Sequence, residues 1–205
     1  MSKLIYITNT SLDGYIEDAA GNFDWPSSAE TYRFFTQLLS QMGTLIYGRR
    51  LYEKMAYWGS PVESYPQEHR AFAEVWQRPS KWVYSRTLSV VTTPNTRLNP
   101  EFEVEPLRDL KRTSNEDISI GGAELATAAL QANLVDELHV VVHPLIVGGG
   151  KSAFKGSQRR NFSLIESRRF DAGSVYLRYH IPSDSPVVPR RGELDSLDGR
   201  DSERD

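Results

Sequence analysis

At 205 residues, 39% hydrophobic and 25% charged, the chain has the composition of an ordinary globular protein and enough length for one sizeable core. No apolar run approaches the roughly 20 residues of a membrane span, MSKLIYITNTSLDG lacks the long apolar region and cleavage site of a secretory leader, and the absence of cysteine excludes disulfides, thiolate metal sites and thiol nucleophiles, so a cytoplasmic location is expected. The net charge of −3 sits wholly in residues 183–205, which hold seven acidic and four basic residues and read as a disordered tail after a single domain spanning 1–182; the remainder is neutral and offers nucleic acid no global basic field.

In chain order, the β-branched and aromatic KLIYITNT predicts a strand, and SLDGYIEDAAGNFDWP breaks into Asp-Gly and Ala-Gly-Asn turn chemistry, a long loop. In SSAETYRFFTQLLSQMG the residues Phe35, Leu38, Leu39 and Met42 follow helical spacing, with Gly43 as the stop. TLIYG predicts a short buried strand, RRLYEKMAYW a helix directly after Gly48, and PQEHRAFAEVWQR a second helix opened by proline. KWVYS predicts a strand and PLRDLKRT a weak helix, followed by the strand DISI and the helix AELATAALQAN. VDELHVVVHPLIV reads as a long buried strand, and NFSLIESRRFDAGSVYLRYHI as two antiparallel strands around Asp171-Ala172-Gly173. The expected class is α/β, a mostly parallel central sheet with helices on both faces and an antiparallel C-terminal edge.

Such sheets bind ligands beyond the carboxyl ends of their strands. Three junctions reach that edge: Asn9 to Gly14, YGRR and SIGGAE. A helix start carries about half a positive charge and unpaired amide donors, and it holds an anion where no side chain blocks the approach. Gly121 and Gly122 therefore admit two readings, a tight turn with close packing or an open seat for phosphate. Gly48 opens a helix beginning Arg49-Arg50, and Ser85-Arg86 ends another strand. Guanidinium's planar donors suit phosphate, although each arginine taken singly also reads as a solvated surface charge. Together these junctions suit a diphosphate plus one further phosphate, which describes NADPH better than NADH.

GGGKS (148–152) is not the phosphate loop of nucleotide hydrolases, because that motif requires glycine at position 145, which is Leu145. Gly148 to Gly150 reads as a flexible turn, with Lys151 free to reach a substrate anion. His139 and His143 lie on a predicted strand, where four residues span roughly 13 Å, so they share no metal. No metal site is expected. Ser27 and Glu30 have the spacing of a helix capping box, which competes with a substrate-binding role for Glu30. Asp13 stands in an Asp-Gly turn.

SLDGYIED, YGRRLYE, SIGGAELA and LVDELHVVVHPLIVGGGKSAF, in that order, resemble the dihydrofolate reductase fold, and within it the reductase domain of the riboflavin-biosynthesis deaminase/reductase and its stand-alone relatives, over residues 3–181. The resemblance implies that the backbone at Thr8 and Asn9 meets the nicotinamide, and that Gly14, Tyr15 and Ile16 cover its ring. It also implies that Gly48, Arg49 and Arg50, with Gly121, Gly122, Ala123 and Glu124, hold the pyrophosphate, and that Ser85 and Arg86 meet the 2′-phosphate. Trp25 and Glu30 have the spacing of a tryptophan and the pterin-binding carboxylate in the folate enzymes. Asp13 falls beside the nicotinamide and substrate, and Lys151 is assigned to a substrate phosphate. Asp13 and Glu30 are thus the catalytic candidates and Trp25 and Lys151 the substrate-binding ones.

The expected activity is NADPH-dependent hydride transfer to a small heterocyclic or sugar-derived substrate, as in reduction of an aminouracil phosphate, with dihydrofolate reduction or non-catalytic nucleotide binding as alternatives. Without cysteine, no zinc deaminase half is expected. A homodimer paired through SVYLRYHI would cover an exposed edge strand.

Overall fold

The computed structural model describes residues 2–23, 25–60, 65–154, 156 and 159–182; the expected tail at 183–205 lies outside them. The described elements are β1 (Leu4–Thr10), β2 (Tyr15–Glu17), α1 (Ala29–Leu39), β3 (Met42–Gly48), α2 (Arg49–Met55) with a 3-10 turn at Ala56–Gly59, α3 (Gln67–Gln77), β4 (Ser80–Tyr84), β5 (Thr96–Asn99), α4 (Val104–Thr113), β6 (Asp117–Gly121), α5 (Ala123–Gln131), β7 (Glu137–Val142), β8 (Lys151–Ser152), β9 (Ser163–Arg169) and β10 (Val175–His180). Eight strands form one sheet in the order β5-β4-β3-β6-β1-β7-β10-β9, and β2 pairs with β8 apart from it. The pairings from β5 to β7 are parallel, whereas β10 runs antiparallel to both β7 and β9. The expected class therefore holds.

The two larger cores among the described residues follow from two directions of winding. From β1 the chain steps through α1 to β3, then through α2 and α3 to β4, always toward β5. From β5 it turns back through α4 to β6 and through α5 to β7. Right-handed crossovers taken in opposite directions lie on opposite faces. One face accordingly buries Ile5, Leu45, Tyr47 and Val83 under Leu39, Phe72 and Trp76, and the other buries Tyr6, Ile46, Ile118 and Ile120 under Leu107, Ala126 and Leu130. The winding reverses between β3 and β6, adjacent parallel strands in register at Tyr47 and Gly121.

Several local expectations are corrected. Gly43 does not stop α1, which ends at Leu39 with Ser40 as its cap; Gly43 lies in β3, where an added Cβ would fall 2.8 Å from the Glu116 side chain. The helix start is boxed by Ser28 and Thr31, one residue beyond Ser27 and Glu30: the Thr31 amide donates to Ser28 Oγ and the Ser28 amide to Thr31 Oγ1. β7 stops at Val142, because His143 and Leu145 turn around Pro144, which has no amide to donate. SVYLRYHI is not the edge: β10 is paired on both sides and β9 is the outermost strand, exposing Leu164 and Ile165.

At the opposite end of the sheet from the carboxyl edge, buried Glu137 on β7 accepts from Lys3 at 2.7 Å, from Arg178 at 2.8 and 3.1 Å, and from His139 at 3.0 Å. Burial opposes its charge, but the Arg178, His139 and Lys3 donors prevail and hold its carboxyl at about 2, against an ordinary 4.5. This contribution to stability is complete above the ordinary carboxylate range and is lost as pH falls from there toward 2. Glu137→Gln should cost about 3 kcal/mol at pH 7 in urea denaturation, and the gap from the parent should narrow at pH 3; a gap independent of pH would contradict this.

Candidate active site

The carboxyl edge at the winding reversal carries two helix starts side by side. Because Tyr47 pairs with Gly121, Gly48 and Gly122 leave the sheet next to each other, each as the N-cap of the following helix, and neither supplies a side-chain cap. The first-turn amides of both helices thus stand at one place without a competing side-chain acceptor from the cap. The two glycines of SIGGAE have different reasons. An added Cβ at Gly121 would fall 2.5 Å from Leu51 of α2, so Gly121 is bare for packing. Gly122 has φ of +93°, with open space where a Cβ would stand, so it is bare for its turn and leaves the helix start accessible.

Two adjoining cavities open here. The larger, about 910 Å³, is walled by residues 17–21, by Arg50, Glu53 and Lys54 of α2, by Ala123 and Glu124 of α5, and by Lys151. The smaller, about 390 Å³, lies inward. Thr8, Asn9, Ile16, Gly121 and Gly122 line it, with a mostly apolar and aromatic wall that includes Phe23, Trp25, Tyr32, Phe35, Tyr47, Trp58 and Phe72. The Tyr47 hydroxyl is turned into the core, where Trp76 Nε1 donates to it at 3.1 Å. Arg50 and Lys151 reach both cavities.

The loop between β1 and β2 is stitched down. Asp13 faces neither cavity; its carboxylate accepts from the amides of Gly148 at 2.9 Å and Val147 at 3.3 Å. The Ser11 hydroxyl first, then these amides, keep the Asp13 carboxyl below its usual range. The turn expected to be flexible is therefore anchored: Gly148, Gly149 and Gly150 all have positive φ, and a Cβ on Gly150 would fall 2.1 Å from the Glu17 carbonyl. That approach lets β8 pair with β2, and Lys151 then meets Glu124 at 3.0 Å. Gly14 sits at φ +82° in the turn before Tyr15, which opens β2.

The remaining expected residues divide. Arg50 pairs with Glu17 at 3.2 Å, whereas Arg49 pairs with Glu53 at 3.1 Å along α2 and lines neither cavity. Ser85 and Arg86 leave the same edge one strand farther out, beyond Tyr84, which pairs with Gly48. Ser85 Oγ there accepts from the amides of Thr87 and Leu88. Glu30 is not the cap and does not line the inner cavity; its carboxylate accepts from Arg168 at 2.8 Å and from the Asp171 amide at 2.9 Å. The Asp171 amide chiefly, with Arg168, keeps its carboxyl below the usual range. Thr31, next along α1, lines the cavity instead.

Sequence reasoning missed His143. It lines the inner cavity at 3% exposure, with Trp25 stacked on it at 5.2 Å and 10°. Burial pushes it down to about 4, with the Pro26 carbonyl opposing, so the ring is neutral at physiological pH.

The chain matches the RibD C-terminal domain family over residues 2–176. It belongs to that family. The uncharacterized protein YyaP of Bacillus subtilis (strain 168) is 31% identical over 182 residues, covering 87% of this chain and 94% of its own. Among solved structures, a Shewanella sp. PV-4 protein provisionally named for riboflavin biosynthesis is similar with a TM-score of 0.69 at 23% identity, covering 89% of this chain and 99% of its own. Enterococcus faecalis dihydrofolate reductase, complexed with NADP(H) and RAB-propyl, is similar with a TM-score of 0.59 at 16% identity, covering 87% of this chain and 96% of its own. This RibD C-terminal domain thus has the dihydrofolate reductase-like fold. No described helix is long and apolar enough to cross a membrane, and no metal-binding cluster occurs among the described residues.

The two glycine caps separate by substitution. Gly122→Ala should cost about 1–3 kcal/mol in chemical denaturation, since its φ is hostile to a side chain. Gly48→Ala should cost less than about 1 kcal/mol, because φ is −79° and its Cβ would meet only Leu125 at 3.8 Å. Equal costs would contradict the assignment.

Proposed function

We propose that this RibD C-terminal domain is an NADPH-dependent reductase acting on a small heterocyclic or sugar-derived substrate. The observation that carries the reading is the pair of helix starts without side-chain caps at the reversal of winding, where Arg50 from the first turn of α2 and Ala123 and Glu124 from the first turn of α5 wall one cavity. That arrangement suits a diphosphate bound by backbone amides. Family membership and reductase-like structural relatives support the same reading.

In this reading the amides around Arg49, Arg50, Gly122, Ala123 and Glu124 hold the diphosphate. Thr8, Asn9 and Ile16 adjoin the nicotinamide in the inner cavity, with Gly14 and Tyr15 shaping the loop above it. Ser85 and Arg86, one strand outward, meet the 2′-phosphate. Arg50 and Lys151 exchange the carboxylates of Glu17 and Glu124 for phosphate oxygens. When bound, NADPH supplies a hydride; the protein places the rings and excludes water. A substrate of the aminouracil-phosphate type would set its ring among the aromatic walls and its phosphate toward Lys151. Dihydrofolate fits less well, because Glu30 is committed to Arg168 and Asp171. Trp25 acts through His143, and Asp13 acts by fixing the loop. Homodimerisation belongs to this proposal through β9, whose exposed Leu164 and Ile165 offer an edge for a second copy.

NADPH should quench or enhance tryptophan fluorescence saturably below millimolar concentration; absence of saturation would remove the reading. Arg86→Ala should weaken NADPH about tenfold more than NADH, the worth of one charged phosphate contact of about 1.4 kcal/mol. An equal loss for both cofactors would refute the 2′-phosphate role.

A further inference from the structure

A buried hydrogen-bond chain crosses three strand ends and terminates on the inner cavity. Ser174, fully buried before β10, bonds His143 Nδ1 at 2.9 Å, and His143 Nε2 bonds Asn9 Oδ1 at 2.9 Å. The carboxamide oxygen of Asn9 can only accept, so Nε2 carries the hydrogen; Nδ1 then accepts, and the Ser174 hydroxyl donates. Every rotor in the chain is fixed by the next. Trp25 stacks flat on the imidazole and closes that side. With Oδ1 held by His143, the Asn9 amide nitrogen projects away from the imidazole, and among the described residues no acceptor meets it although Asn9 lines the cavity.

The charge around this donor favours one kind of ligand. Among the described residues lining the inner cavity, Arg50 is paired with the one lining carboxylate, Glu17, Lys151 with Glu124 outside that wall, and Lys54 leaves a net positive charge. Such a field disfavours a protonated ring, and no free carboxylate is present to receive a donor edge. The volume sets the size: a cavity of roughly 150 Å³ holds a benzene-sized ring, so about 390 Å³ accommodates a nicotinamide and one further small ring system.

We propose that the Asn9 side-chain amide is the donor that selects the substrate ring, taking an uncharged planar ring with a carbonyl oxygen at its edge, and that His143 and Ser174 are positioning residues holding it. This deepens the reductase reading and rests on it for the neighbouring nicotinamide. Because burial holds His143 neutral well below physiological pH, the donor keeps its orientation across the working range.

The test compares two probes, uracil, an uncharged carbonyl-edged ring, and 2,4-diaminopyrimidine, a donor-edged ring that protonates readily, by saturation-transfer NMR with and without NADP⁺. The parent protein should prefer uracil at least fivefold. Asn9→Asp, which exchanges the donor for an acceptor at nearly constant shape, should move the ratio at least tenfold toward the diaminopyrimidine. His143→Phe keeps the stack on Trp25 but should weaken uracil at least threefold, and His143→Gln, which can still donate to Asn9 Oδ1, should recover part of that loss. In the unsubstituted protein, the Asn9 side-chain amide resonances should shift on adding uracil, a readout that survives failure of any variant to fold. A parent preference for the diaminopyrimidine, an unchanged ratio in folded Asn9→Asp, or unmoved Asn9 resonances on saturation would overturn the inference. Failure of NADPH to bind the parent protein would instead strike the reductase reading, with the uracil preference still measurable without cofactor.

Discussion

The parallel pairing of β3 with β6 is the constraint on which the site depends. Register at Tyr47 and Gly121 sets two strand-to-helix turns next to each other, and the reversal of winding there sends their helices to opposite faces of the sheet. A cavity opens where the two helices begin, walled by Arg50 of α2 and by Ala123 and Glu124 of α5. Both helix starts there lack a side-chain cap, which leaves first-turn amide donors to which an anion would be drawn. The cations nearby are already engaged, Arg50 with Glu17 and Lys151 with Glu124. A phosphate arriving there would gain each side-chain cation only by displacing a carboxylate.

A second constraint ties the loop after β1 to the wall of the cleft. Asp13 holds the 147–150 turn, the bare Gly150 admits the Glu17 backbone, and the short β2–β8 pair carries Lys151 to the first turn of α5. The loop between β1 and β2, the 147–150 turn and the first turn of α5 are therefore parts of one connected unit. Glu30 performs a comparable task at the far side, fastening α1 to the turn between β9 and β10. Two carboxylates that resemblance suggested as catalytic thus hold backbone in place.

The long periodic elements were legible because each helix and strand carries its own apolar period, and the SIGGAE and YGRR turns were legible because glycine at a strand-to-helix seam has few other reasons to occur. Failures arose where the deciding contact is distant in sequence. The Gly43 position depends on Glu116, and the cap shifted by one residue because Ser27 and Ser28 are equivalent as letters while only Ser28 meets Thr31. Strand order cannot be read from periodicity, so β10 was mistaken for the edge that β9 occupies. The Asn9, His143 and Ser174 chain joins residues 134 and 31 positions apart, and no local pattern marks it.

A crystal structure with NADP⁺ bound is the most direct measure of the central claim. The account predicts diphosphate oxygens within hydrogen-bonding distance of first-turn amides from both α2 and α5, with the nicotinamide in the inner cavity beside Asn9. Diphosphate seated on only one of the two helices, or on the Gly148–Gly150 turn, would contradict it.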